Sequence, residues 1–113
     1  MKNKPKLIIM CGLPASGKNT WVSEFIKKEK KNSVDYVVVE LDEIRVEIFG
    51  HEFHRPAEHF VIGMAKSFVR LLLKQGKNVI INSTALTQSI RSEWISIGDE
   101  YNYDIKIVWI KTP

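Results

Sequence analysis

At 113 residues, 44% hydrophobic and 27% charged, the chain has the composition of one ordinary globular domain, long enough to bury a core without staples and too short for a second one. Its single cysteine excludes an internal disulfide and suits a reducing compartment. No apolar run approaches the ~20 residues of a membrane span, and the apolar stretch behind residues 1–6 is too short for a signal peptide, so no membrane and a cytoplasmic address are expected. The net charge of +4 favours anionic ligands without naming one.

Taken in order, Lys6–Cys11 reads as a short buried strand that ends on Cys11, a small buried residue. A glycine-bearing loop joins it to a helix from residue 17 to about 30, with Trp21, Val22, Phe25 and Ile26 on one face. Lys27, Lys28, Lys30 and Lys31 fall in its last turn, where cations suit the helix dipole. Residues 36–41, β-branched without alternation, suit a strand buried on both faces. Residues 42–49 form a short helix closed by Gly50. After a loop over 51–55, Pro56 opens a long helix that stops at Gln75-Gly76. Its buried stripe is expected at Phe60, Met64, Phe68, Leu71 and Leu72. Asn78–Asn82 is the third strand and 83–87 a loop; residues 88–101 form a helix with Ile90, Trp94 and Ile97 inward, and 104–110 the fourth strand. Strands separated by helices force parallel pairing through right-handed crossovers, which gives an α/β sandwich of helix, sheet and helix.

The loop Gly12-Leu13-Pro14-Ala15-Ser16-Gly17-Lys18-Asn19-Thr20 is where chemistry is expected. A phosphate needs several donors converging on its oxygens with no side chain in the way. Gly12 and Gly17 allow that backbone path, and the helix that follows aims its free N–H groups and positive end at the same point. Lys18, directly after the second glycine, adds a mobile charge that reaches the β- and γ-phosphates. The spacing G-x-x-x-x-G-K matches the Walker A pattern, with Asn19 where a magnesium-ligating hydroxyl usually stands. The Asn carbonyl is also a hard oxygen, on a longer arm, and is the metal candidate of the loop. Thr20 is in register with the second hydroxyl of the common form. The expected phosphate-binding set is therefore Gly12, Pro14, Ala15, Ser16, Gly17, Lys18, Asn19 and Thr20, with Mg²⁺ beside the phosphates.

In a parallel sheet ligands bind beyond the carboxyl ends of the strands. Besides the loop, those positions are Asp42, then Asn82-Ser83-Thr84, then Lys111-Thr112-Pro113. A carboxylate at Asp42 can accept a proton from an attacking hydroxyl, and Arg45, one turn on, can hold an anionic group of the acceptor. Asp42 also reads as a helix N-cap, a role worth ~1 kcal/mol that needs no ligand. His51, His54 and His59 with Glu52 and Glu58 have the spacing of neither a metalloprotease helix nor a zinc finger. Trp21 and Trp94 fall on apolar helix faces and read as core.

Residues 12–21, then Leu41-Asp42-Glu43-Ile44-Arg45, then Ile80-Ile81-Asn82-Ser83-Thr84-Ala85-Leu86 with Arg91 and Trp94 beyond, resemble the kinase domain of phage polynucleotide kinase and its AAA-type and zeta-toxin-like P-loop kinase relatives. The resemblance implies a three-layer P-loop NTPase sandwich with four parallel strands in the order 2-3-1-4. It also implies transfer of the γ-phosphate of ATP to a hydroxyl, first of all a polynucleotide 5′-hydroxyl. Lys18 would sit on the phosphates, Asp42 would activate the acceptor and Arg45 would contact an acceptor phosphate; these three make up the implied catalytic set.

Three departures stand out. Asn19 replaces the metal-binding hydroxyl. Where relatives commonly carry an acidic residue and then Thr-Asn, this chain has Asn82, Ser83, Thr84 and Ala85, so the carboxylate expected behind the metal is missing. Residue 113 falls at the end of the fourth strand, where relatives continue into a lid bearing arginines and a fifth strand. A non-catalytic nucleotide- or phosphate-binding module and a kinase of small hydroxyl compounds are the alternative readings. Self-association through the fourth strand is expected of a chain that ends there.

Overall fold

Apolar and β-branched residues dominate the four short runs that become strands: β1 (Lys6–Cys11), β2 (Tyr36–Glu40), β3 (Asn78–Asn82) and β4 (Asp104–Trp109). Four helices alternate with them, α1 (Lys18–Lys30), α2 (Leu41–Phe49), α3 (Arg55–Lys74) and α4 (Gln88–Glu100). The computed structural model describes residues 4–12, 17–50, 55–82 and 88–110. All pairings among the strands are parallel, in the order β2-β3-β1-β4. This is the order that the resemblance to P-loop kinases implies.

The central strands are buried on both faces because successive side chains point to opposite sides. Leu7, Ile9 and Cys11 of β1 join Val79 and Ile81 of β3 in a cluster with Ala65, Val69 and Leu73 of α3 and Trp94 and Ile97 of α4. Ile8, Met10 and Ile80 face the other way, against Val22 of α1 with Trp21, Phe25 and Ile26 around it. The result is the three-layer sandwich. Gly98 lets α4 lie close to the sheet, since a Cβ there would stand 2.7 Å from Ile105 and 3.0 Å from Leu7. No helix among the described residues is long and apolar enough to cross a membrane.

Two expectations need correction. Residues 36–41 were expected to form one strand buried on both faces; β2 instead ends at Glu40, Leu41 opens α2, and only Val39 of the strand is fully buried. Position explains it: β2 is an edge strand with β3 on one side only. The larger correction concerns α3. Val61, Ala65, Val69, Leu72 and Leu73 are its buried stripe, whereas Phe60, Met64, Phe68 and Leu71 are between 41% and 57% exposed. Two neighbouring apolar stripes share the helical period, so periodicity does not choose between them. The sheet selects the stripe with the smaller side chains, which lets the helix axis come close to a flat surface. Val69→Ala, which removes two buried methyl groups, is accordingly expected to cost about 2 kcal/mol in urea unfolding, whereas Leu71→Gln stays within about 0.5 kcal/mol of the parent. The reverse ranking would restore the original choice of stripe.

Candidate active site

Parallel strands place their carboxyl ends on one rim, and the register fixes which residues meet there. Glu40 of β2 lies opposite Asn82 of β3, which lies opposite Met10 of β1, and Cys11 lies opposite Trp109 of β4. The loop after β1 starts one step beyond this row. Gly17 brings the chain into α1 at φ 96°, in the left-handed region that glycine adopts without strain. Its carbonyl accepts the first helical bond, from the N–H of Trp21 at 2.9 Å. Gly17 brings no side-chain cap, so the first N–H groups of α1 remain open to an anion.

Lys18 turns inward. It is 6% exposed, and its Nζ has no hydrogen-bond partner among the described residues. Burial holds its ammonium below the usual lysine pKa, against the opposing pull of the Asp42 and Glu40 carboxylates. A dry, unpaired ammonium destabilises the ligand-free chain, and a phosphate oxygen is the kind of partner that relieves it.

Asn82 is the hinge of a second group. Only 2% exposed, it donates through Nδ2 to Oδ1 of Asn19 at 3.1 Å and to Oε2 of Glu40 at 2.8 Å. Its own Oδ1 is buried without a partner among the described residues. Asn19, the metal candidate of the loop, is thus tied through its carbonyl to the end of β3. Glu40 escaped sequence reasoning because it read as the last polar residue of a strand. Its only signal is the register that sets it opposite Asn82. A carboxylate is therefore present on this rim, from β2 rather than after β3. Burial raises the Glu40 pKa from its ordinary value, helped by the negative charges of Asp42 and Glu43 and opposed by Lys18 and by a hydrogen bond from the backbone N–H of Asp42.

Asp42 and Arg45 come together as one pair, with Nη1 of Arg45 donating to Oδ1 of Asp42 at 2.7 Å. The N-cap reading of Asp42 does not hold: Glu40 occupies that position. Asp42 sits in the first turn of α2, where negative charge suits the dipole. An open cavity of about 550 Å³ runs beside the pair, lined among others by Val38, Glu40, Asp42, Glu43 and Phe68.

On the far side of β1 the guanidinium of Arg91 stacks 4.8 Å from the centre of the Trp109 ring. It also neighbours Cys11, whose thiol burial pushes up while Arg91 and Lys18 pull it down. The net rise keeps Cys11 a thiol at neutral pH rather than a nucleophile. Gly12 is half-buried at the start of the loop, and Asn19 and Thr20 are exposed on the first turn of α1. Pro14, Ala15 and Ser16 lie outside the described residues, as do Ser83, Thr84, Ala85, His51, Glu52, His54 and the last three positions. Among the described residues no three His, Cys, Asp or Glu side chains gather as a metal site.

Comparison with known proteins matches residues 7–113 to the family described as AAA domain. L-seryl-tRNA(Sec) kinase of Methanococcus maripaludis is 28% identical over 107 residues, which make up 95% of this chain and 41% of that protein. A chain of the Pnkp1/Rnl/Hen1 complex superposes with a TM-score of 0.84 and 31% identity, covering 100% of this chain and 38% of the other. The APS kinase CysC of Mycobacterium tuberculosis, solved with AMPPNP and APS, shares the fold at 18% identity and a TM-score of 0.78, covering 99% of this chain and 65% of that one. The chain thus spans less than half the length of the first two relatives.

Proposed function

The chain belongs to the AAA domain family, whose match runs over residues 7–113, and from that premise we propose that it is the nucleotide-binding part of an ATP-dependent kinase acting on a polynucleotide 5′-hydroxyl. The observation that carries the reading is Lys18, buried and without a hydrogen-bond partner among the described residues, in the first turn of α1. The phosphates of ATP lie in the loop of Gly12, Pro14, Ala15, Ser16, Gly17, Lys18, Asn19 and Thr20, with Lys18 on the transferred group. Asp42 takes the proton of the acceptor hydroxyl. The acceptor oxygen then bonds to the γ-phosphorus as the bond to the β–γ bridging oxygen breaks, and ADP leaves. Arg45 orients the Asp42 carboxylate and offers its fork of donors to a phosphate of the acceptor.

Mg²⁺, where bound, neutralises charge on the phosphates. The oxygens on this rim fit it: Asn19 and Glu40 present hard donors, and Mg²⁺ characteristically takes one or two protein oxygens and completes its shell with phosphates and water. An acceptor borne on RNA is supported by two relatives, one a kinase of seryl-tRNA(Sec) and the other from a complex also described as an RNA repair complex. The net charge of +4 suits a polyanionic acceptor, and a single reduced cysteine suits the cytoplasm. Self-association along the open edge of β4 belongs to the same reading, and the mass in dilute solution tests it.

The direct test is transfer of labelled γ-phosphate from ATP to a 5′-hydroxyl oligonucleotide, with a 5′-phosphorylated oligonucleotide as control. Label appearing on the first and not on the second is the expected result. Tight ATP binding with no transfer to any hydroxyl would instead favour the non-catalytic module, for which Asn19 in the loop is the feature that speaks.

A further inference from the structure

We propose that Glu40 is the protein carboxylate that holds the divalent cation of the bound nucleotide, clamped for that task by Asn82 together with Asn19. The proposal rests on the phosphate-loop reading above and adds to it a residue outside the loop.

Three elements meet at this point: β2 ends at Glu40, β3 ends at Asn82, and Asn19 stands in the first turn of α1. Asn82 directs its amide nitrogen to both other side chains, at 2.8 Å and 3.1 Å, and so fixes two oxygens beside each other. Fixing oxygens in place ahead of binding is what a site for a hard cation requires. Two buried polar atoms nearby lack partners among the described residues, Oδ1 of Asn82 and Nζ of Lys18. Leaving a buried donor or acceptor unmade is costly, and together these two mark a place where a polar ligand is to arrive.

A purely structural role for Glu40 fits poorly. Hydrogen bonding to Asn82 asks only for an acceptor, and glutamine would provide one without a half-buried negative charge. Charge balance points the same way. Phosphates drawn to Lys18 meet the Glu40 carboxylate at close range, a repulsion that a divalent cation between them turns into a bridge.

The test uses Glu40→Gln, which keeps the shape and the acceptor for Asn82. Binding of ATP is measured in EDTA, and Mn²⁺ is then titrated into the protein saturated with ATP and followed by electron paramagnetic resonance. The parent is expected to bind Mn²⁺ more tightly than free ATP does, and Glu40→Gln to lose about 10- to 100-fold of that affinity. Its ATP affinity in EDTA is expected to equal or exceed the parent's. Recovery of Mn²⁺ binding on adding Asn82→Asp in the Glu40→Gln background, which moves the carboxylate across the strand pair, supports the proposal further. Glu40→Gln that holds Mn²⁺ as the parent does overturns it, and so does a loss of ATP affinity in EDTA as large as the loss of Mn²⁺. A parent that binds no ATP under either condition brings down the phosphate-loop reading itself, and this proposal with it.

Discussion

Asp42→Asn is expected to lower phosphoryl transfer by about 10² or more while leaving ATP affinity nearly unchanged. The substitution keeps the size and planarity of the side chain but removes the group that accepts the hydroxyl proton. It also leaves Arg45 facing a neutral amide instead of a carboxylate at 2.7 Å. Loss of the ion pair alone is a small effect for a partly exposed pair within one helical turn, so stability changes by less than about 1 kcal/mol. That separation makes the result readable. A variant that melts like the parent, binds ATP like the parent and transfers slowly assigns Asp42 to the chemistry. Full transfer by Asp42→Asn would reduce the pair to a surface contact of α2. The assay is best run on a version of the protein whose parent is active.

Lys18→Met is expected to produce a ligand-free protein more stable than the parent at neutral pH and weaker in ATP binding by about 10- to 100-fold. The binding loss follows from removing a charge-assisted contact to phosphate, worth about 1.5–3 kcal/mol. The stability gain follows from the burial of an ammonium that has no hydrogen-bond partner among the described residues. With its folded pKa below the ordinary lysine value of 10.5, Lys18 binds fewer protons in the folded than in the unfolded chain between those two values. Its ionised form therefore lowers stability throughout neutral pH, and the penalty is relieved only as pH rises through the folded pKa toward 10.5. The melting-temperature advantage of Lys18→Met is thus greatest at neutral pH and shrinks in alkali. Differential scanning fluorimetry across pH, beside ATP titration calorimetry, checks both halves. A destabilised variant with unchanged ATP affinity would mean that Lys18 packs as an aliphatic stem and does not await phosphate.

Local pattern was enough for much of this protein. The order of strands and helices, the bounds of β1 and β3 and the stop of α3 just before Gln75-Gly76 were legible because each depends on neighbours along the chain. Glycine spacing, apolar runs and caps are local signals. The inward placement of Trp94 and the burial of Cys11 were equally legible, since each lies in an apolar run or on an apolar helix face. What the sequence could not decide depends on which surfaces meet. The two apolar stripes of α3 are equivalent in period, and only contact with the sheet distinguishes Val61, Ala65 and Val69 from Phe60, Met64 and Phe68. β2 carries a run of valines suited to burial on both faces, yet its place at the edge, with a single neighbour, leaves it half covered. Glu40 is the sharpest case. Along the chain it stands far from Asn19 and Asn82, and nothing in its own neighbourhood marks it. Parallel register between β2 and β3 brings the three side chains within hydrogen-bond reach, because pairing of strands is a non-local choice made by the packing of the whole sheet.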